Sequence, residues 1–124
     1  MTAAAAEACL GRPVSRHGAV RRYAGGLSLE LRDGRVAALV LDARGWTSAG
    51  GGLAVGAPVR SVRAALPRTE ARHGALRAVL PLAAGRVADV RITVRAGRVQ
   101  RIEVRDVARA RLDRRGRALL GPAS

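Results

Sequence analysis

The sequence predicts an α+β fold in which two α-β-β-β repeats form one antiparallel sheet, with the helices packed on one face. The first observation is a pair of similar stretches, LSLELRDGRVAALVL at 27–41 and VRITVRAGRVQRIEV at 90–104, which align with an offset of 63. They share the sequence Gly-Arg-Val and have aliphatic residues at equivalent positions on either side of it. The second is a shorter match, RHGAVR at 16–21 and RHGALR at 72–77, with an offset of 56. Self-similarity of this kind is the signature of a repeat architecture.

The two matches also set the domain boundaries. We assign a first repeat to 1–42, a Gly-rich linker to 43–52, a second repeat to 53–105 and a basic tail to 106–124. The change of offset from 56 to 63 indicates a seven-residue insertion in the second repeat, around 81–87. Because chains below about 40 residues rarely bury enough surface to fold alone, we expect the repeats to pack as one integrated domain.

Each repeat opens on a predicted helix followed by a strand. Residues 2–10 are rich in alanine, the strongest helix former, and a Gly-Arg-Pro sequence ends that helix. Residues 58–66 carry apolar side chains at helical spacing and are bounded by Pro58 and Pro67. The two RHG segments are predicted as short strands, and the tail as a short helix or irregular segment.

The duplicated stretch is predicted to be a β-hairpin closed by an odd loop. Three-residue loops, Arg32–Gly34 and Arg95–Gly97, with glycine in the left-handed conformation would bring the aliphatic residues of each copy onto one face. A register slip of one residue would exchange the two faces. The expected inward-facing residues are Leu27, Leu29, Leu31, Leu39 and Leu41 in the first copy, and Val90, Ile92, Ile102 and Val104 in the second.

The outward faces of the two hairpins are the best candidates for a partner-binding surface. The second copy presents a basic stripe, whereas the first presents a largely apolar face. The candidate residues are Arg91, Thr93, Arg95, Arg101, Glu103 and Arg105 in the second copy, and Val36, Ala38 and Val40 in the first. The apolar residues could equally be covered by the chain's own tail or by the mate in a homodimer.

Composition narrows the kind of partner. All 23 basic residues are arginine and the formal net charge is +14, a balance that favours acidic partners and that GC-rich codon usage could also produce. We therefore expect a non-catalytic binding or scaffolding module that contacts a protein or another acidic partner. The alternative is arginine-mediated binding of nucleic acid or another polyanion. β-Sheets that bind single-stranded nucleic acid usually stack its bases on aromatic side chains. Tyr23 and Trp46 are the only tyrosine, tryptophan or phenylalanine residues of the chain, and neither belongs to the basic stripe.

No catalytic, cofactor-binding or metal-binding set is expected. Cys9 is the single cysteine, which excludes an intramolecular disulfide, and no serine, threonine or cysteine lies in a nucleophile-elbow sequence. His17 and His73 hold equivalent places in the two repeats and could meet as metal ligands or a proton-relay pair, but no acidic pattern completes such a site. The run Gly50–Gly52 lacks the remainder of a phosphate-loop motif and is predicted to be linker.

The amino-terminal segment bears on localisation. MTAAAAEACLG has neither the basic nor the apolar region of a signal peptide, and no apolar run reaches the roughly 18–20 residues that span a bilayer. The expectation is a cytoplasmic protein by default, with a cell-envelope or secreted origin if a leader precedes this sequence.

Each repeat combines a helix ending in CLG or ALP, a strand, and a hairpin of the form GL-x-L-x-L…GRV-x-x-L. With these motifs, the repeat unit resembles the small SmpA/OmlA-type domains of bacterial envelope proteins, and its tandem form resembles the β-lactamase inhibitor proteins. The segment from Thr47 through Gly52–Ala57 to Leu66 and Pro67 also matches the start of such units. The resemblance implies a helix layer on an antiparallel sheet and a non-enzymatic, protein-binding or envelope-associated role.

Overall fold

The computed structural model describes residues 2–46, 53–66 and 68–121, and the fold is a mixed α+β structure with one eight-stranded antiparallel sheet and three helices. The elements in chain order are α1 (Ala3–Leu10), β1 (Ser15–His17), β2 (Val20–Tyr23), β3 (Leu27–Arg32), β4 (Arg35–Leu41), α2 (Val59–Ala65), β5 (Glu70–Arg72), β6 (Ala75–Pro81), β7 (Arg86–Arg95), β8 (Arg98–Ala108) and α3 (Arg114–Leu120). Within the described ranges, no helix has both the length and the apolar character needed to cross a bilayer.

The strand order is β1-β2-β3-β4-β8-β7-β6-β5, so the two halves of the chain meet at the pairing of β4 with β8. That pairing joins Ala38–Leu41 to Ile102–Arg105. The antiparallel α+β prediction is confirmed. Residues 47–52 of the predicted linker, which include Gly50–Gly52, lie outside the described residues, and so does Pro67.

The two RHG segments form hairpin turns rather than the predicted single strands. Gly18, with φ of +61°, begins the turn between β1 and β2, whereas His73 and Gly74, with φ of +50° and +74°, form the turn between β5 and β6. In the ranges that the structure describes, each half therefore contains four strands and not the predicted three. The outermost strands, β1 and β5, have three residues each, which is too short for a recognisable sequence pattern.

The two long hairpins place the expected aliphatic residues on one face, but their turns differ from the predicted three-residue loops. Their turns contain two residues, Asp33-Gly34 and Ala96-Gly97, all with φ between +52° and +73°, as type I′ turns require. A β-bulge then adds one residue to the second strand of each hairpin, Ala37 opposite Glu30 and Leu31, and Gln100 opposite Thr93 and Val94. Because of this extra residue, the predicted aliphatic residues of the two strands lie on the same face. The cross-strand pairs include Leu27 with Leu41, Leu29 with Leu39, Val90 with Val104 and Ile92 with Ile102.

One face of the sheet, here the inner face, carries α1 and α2. Val62 and Leu66 of the α2 segment pack on a buried cluster that includes Ile92 and Ile102. Ala6 of α1 belongs to a second buried cluster, called the α1 cluster below, which also contains Tyr23, Leu27 and Leu29. Leu41 lies against both clusters and links them. Burial of these aliphatic side chains supplies the main stabilisation of the fold.

The two helices that the sequence predicts on one face, α1 and α2, both lie on the inner face, whereas the third helix, α3, in the tail, packs on the opposite, outer face. Side chains alternate along a strand. Ala88 and Val90 therefore face α2, whereas Val87 joins Leu112 and Val79 in a separate cluster beneath α3. In the segment where the sequence predicts an insertion, β6, β7 and β8 extend past the last pair between β4 and β8, Ala38 with Arg105, and form the apolar surface that α3 covers.

Candidate binding face of the sheet

The outer face is a lattice of cross-strand pairs that runs across all eight strands. One complete row consists, from β1 to β5 in sheet order, of Ser15, Arg22, Ser28, Val40, Glu103, Arg91, Arg77 and Glu70. A neighbouring row contains His17, Val20, Glu30, Ala38, Arg105, Asp89 and Val79. Because α3 covers only the end of β6, β7 and β8, the middle of this face is open to solvent.

The candidate residues of the second hairpin lie where the sequence predicts them. Arg91, Thr93 and Arg95 alternate along β7 and are exposed, and Thr93 pairs directly with the exposed Arg101 of β8. We call Arg91, Arg95 and Arg101, which surround Thr93, the arginine cluster. None of its three guanidinium groups makes an ion pair within the described residues.

Within the described range 68–121, Glu103 and Arg105 form an ion pair with each other and make none with the arginine cluster. The guanidinium of Arg105 lies 2.7 Å from the Glu103 carboxylate and 3.9 Å from the Glu30 carboxylate. This group bridges β8, β4 and β3 over Ala38, which pairs with Arg105 and is only 3% exposed. The central part of the outer face is therefore locally neutralised, and the unpaired positive charge lies to one side of it.

The apolar stripe predicted for the first hairpin does not form. Val36 packs with the α1 cluster on the inner face, because the bulge after it reverses the alternation of β4. Ala38 is buried beneath its neighbours and Val40 is half-buried. Up to Gly121, the tail packs on Val79, Val87 and Val107, and it does not supply the cover that we considered for this stripe.

A charge network that the sequence did not reveal fixes α3 to the sheet. Arg77 donates hydrogen bonds to the carboxylates of Asp89, at 2.9 and 3.0 Å, and Asp113, at 3.0 and 3.1 Å, and Arg115 reaches Glu70 at 3.0 Å. The pKa of Arg77 is raised mainly by the hydrogen bond to Asp89, against the opposing effect of burial. The one sequence signal for this network is Asp113, since an aspartate just before a short helical run is a typical N-cap.

Asp113 is held in its ionised form by two donors. Its carboxylate accepts a hydrogen bond from the backbone N–H of Gly116 at 2.8 Å, which caps α3, and it also accepts from Arg77. These contacts lower the pKa of Asp113 below its ordinary value, with the Gly116 hydrogen bond as the larger cause. Stability from this group is therefore complete above the pKa of the unfolded chain and is lost as the pH falls towards the lower folded value.

We expect Asp113→Asn to lower the melting temperature at pH 7 and to have progressively less effect as the pH falls to about 2. Asparagine is also a good N-cap, so the substitution removes the charge and keeps the cap. The measurement is thermal unfolding followed by circular dichroism between pH 7 and pH 2, with Asp33→Asn in an exposed turn as the matched control. A deficit in melting temperature that stays constant over this pH range would contradict the assigned ionic contact.

The two histidines lie far apart in the sheet order. His17 ends β1 at one edge, and His73 begins the turn between β5 and β6 at the other edge, with the remaining strands between them. The turns differ in type, so the matched RHG sequences do not place the two residues equivalently. The histidine pair that the repeat suggested is therefore not formed.

Both aromatic side chains belong to the inner face. Tyr23 lies in the α1 cluster, and Trp46 packs against that cluster and donates its indole N–H to the carbonyl of Ala24 at 2.8 Å. The outer face consequently offers no aromatic ring on which a base could stack.

In comparisons with known proteins, no family model, no curated protein and no solved structure matches this chain.

Proposed function

We propose that the chain is a non-catalytic binding module whose outer sheet face contacts an acidic protein surface. The observation that carries this proposal is the arginine cluster: three exposed guanidinium groups without an ion pair in the described chain, on neighbouring strands of an open sheet face. Guanidinium groups bind carboxylates through two parallel hydrogen bonds, which gives both attraction and orientation. The positive net charge adds long-range steering towards such a partner.

The strands that carry the cluster favour a preorganised surface. β7 and β8 pair over ten residues of β7, and both strands lie inside the sheet rather than at its edges. Val90 and Ile92 anchor the other side of β7 in the buried core. A rigid platform of this kind lowers the entropy that a binding surface loses on complex formation. The arginine side chains themselves retain the freedom to adapt to a partner.

The proposal includes the two-repeat organisation, which several equivalent contacts support. The residues before α1 and α2 each form an isolated bridge to the hairpin of their own half, Thr2 to Arg35 and Pro58 to Arg98. Ala3 donates its N–H to the Gly34 carbonyl at 2.8 Å, and Val59 donates to Gly97 at 3.0 Å.

These contacts follow the two offsets seen in the sequence. They agree with a tandem unit of the SmpA/OmlA or β-lactamase-inhibitor-protein type, in which a non-enzymatic role is expected. The duplication would then have kept the inner faces alike while the outer faces diverged into different surfaces.

Arginine-mediated polyanion binding is the second candidate function, and a different cleft favours it. β4 leaves β8 before Ala38, and the gap between Arg35–Ala37 and Asp106–Ala108 forms a cleft of about 590 Å³. Arg32, Arg35 and Arg111 line it and form no ion pair in the described part of the chain, whereas Arg86 pairs with Asp106. Binding there would depend on phosphate contacts and would weaken strongly with salt.

Charge reversal on the two faces tests the leading proposal. At 0.15 M salt we expect Arg101→Glu to weaken binding of poly-glutamate by about tenfold, because it replaces an attraction at the contact by a repulsion. Arg60→Glu, on the exposed side of α2, makes the same change in net charge on the inner side of the sheet and should weaken binding by no more than about twofold, since its charge is largely screened over that distance. The measurement is fluorescence anisotropy with labelled poly-glutamate.

Equal losses in the two variants would contradict the proposal, because they would show that net charge alone drives binding. Retention of the wild type on heparin or duplex DNA above 0.3 M salt, abolished by Arg35→Glu but not by Arg101→Glu, would favour the second candidate instead.

A further inference from the structure

A cleft of about 410 Å³ opens on the outer face between α3 and strands β5 to β7, and it shares Arg91 with the arginine cluster. Four arginines line it, namely Arg72, Arg77, Arg91 and Arg115, together with the small residue Ala75. This volume lies within the range typical of sites for small ligands. The four guanidinium groups do not have the same role.

Two of the four arginines are held by carboxylates and shape the cleft. Arg77 lies between Asp89 and Asp113, and Arg115 pairs with Glu70 at 3.0 Å. These contacts fix the start of α3 as one wall of the cleft. Arg115 balances the charge of Glu70, whereas Arg77 shares its single charge between Asp89 and Asp113, so two guanidinium groups against three carboxylates leave one negative charge in this network.

The other two arginines are exposed, and neither has an ion-pair partner among the residues that the structure describes. The sheet register places them on either side of β6, because Arg72 pairs with Ala75 and Arg91 pairs with Arg77. The small side chain of Ala75 leaves space between them. Two guanidinium groups can therefore approach one anion from two sides, and the positive charge of the cleft comes from these two groups, because Arg77 between them is paired with Asp89 and Asp113.

We propose that this cleft binds a phosphate monoester, with Arg72 and Arg91 as its main ligands. A carboxylate has two oxygens, which one guanidinium can occupy alone, whereas a phosphate monoester carries three and a charge of about −1.5 to −2 at pH 7. A pair of convergent arginines is therefore better matched to the phosphate. The inference rests on the proposed use of the outer face and specifies the chemistry that one part of it recognises.

The test is calorimetric titration at 0.15 M salt with a short neutral peptide carrying one phosphoserine, and with the same peptide unphosphorylated. Arg72→Gln and Arg91→Gln are each expected to weaken binding of the phosphopeptide by about tenfold, since each removes a charged bidentate contact. The matched control is Arg22→Gln, an exposed arginine of β2 in the same cross-strand row as Arg91, which loses the same charge and should change the affinity by less than about twofold.

Ribose 5-phosphate, titrated in parallel, distinguishes the two sources of a phosphate monoester. Tighter binding of the phosphopeptide identifies a phosphorylated protein partner, and equal binding identifies a small phosphate ester; both results support the site. In the wild type, the amide resonances of Ala75 and Arg77 should shift during either titration, a readout that needs no variant.

Equal binding of the phosphorylated and unphosphorylated peptides, or an equal loss in the Arg22→Gln control, would overturn the phosphate site. If poly-glutamate binding then still depended on Arg101, the phosphate proposal would fail alone. If that dependence were absent as well, the proposed function would fail with it.

Discussion

Ile92→Ala is expected to lower the free energy of unfolding by about 2–5 kcal/mol, and Leu29→Ala by a similar amount, because each removes a large aliphatic side chain from a closed core. Ile92 is 1% exposed beneath α2, and Leu29 is 2% exposed beneath α1. The two residues occupy the same position in the duplicated stretch. Leu41 contacts both clusters, so either substitution should shift one common unfolding transition and not a transition of its own half.

Urea unfolding followed by circular dichroism, and by the fluorescence of Trp46 beside the α1 cluster, measures this directly. The control is Leu82→Ala in the connection between β6 and β7, where the side chain is 46% exposed; its cost should stay within about 0.5 kcal/mol. Coincident transitions by the two probes would support one cooperative domain. Separate transitions, or a smaller effect for Ile92 than for Leu82, would contradict the shared core.

Gly26→Ala is expected to be the other strongly destabilising change, with a matched comparison in Gly97→Ala. Both glycines have positive φ, +76° and +73°, so alanine carries a similar left-handed penalty of about 1–2 kcal/mol at either position. A Cβ on Gly97 meets nothing within 4 Å, whereas a Cβ on Gly26 would lie 2.6 Å from the backbone nitrogen of Ala43. The backbone cannot easily move there, because Asp42 donates its N–H to the Gly26 carbonyl at 3.1 Å.

Gly26→Ala should therefore cost at least about 1–3 kcal/mol more than Gly97→Ala, the usual range for overpacking. Both values come from the same urea titration. Equal costs would mean that the contact between the β2–β3 turn and Ala43 is looser than the structure has it.

The inner face of the sheet follows from the sequence because its signal is repeated and periodic. Leu29 and Ile92 hold equivalent positions in two aligned hairpins in which every second residue is aliphatic. Only one choice of inward face buries the aliphatic residues of both hairpins. The turns were predicted incorrectly because the aliphatic pattern shows only that an odd number of residues separates the two strands. It does not show how these residues divide between the turn and a bulge. A three-residue loop and a two-residue turn followed by a one-residue bulge place the same residues on the inner face, although the cross-strand partners differ by two residues.

The position of α3 could not be derived in the same way. A seven-residue helix has too few turns for a clear apolar face, and the contacts that place it join Arg77 to Asp113, far apart in the chain. Val36 was assigned to the wrong face for a related reason, because a bulge reverses alternation without leaving a sequence signal. The outward direction of Arg91 and Arg101 could be predicted, since both residues lie on the side of the second hairpin's bulge away from the turn and alternate with the buried core.

Amide chemical-shift mapping of the isotopically labelled protein during titration with poly-glutamate tests the proposed binding face most directly. The largest shifts are expected at Arg91, Thr93 and Arg101 and at their neighbours on β7 and β8, with little change along α2. Shifts concentrated on α2, or in the cleft around Arg35 and Arg111, would contradict an acidic partner bound to the outer face of the sheet.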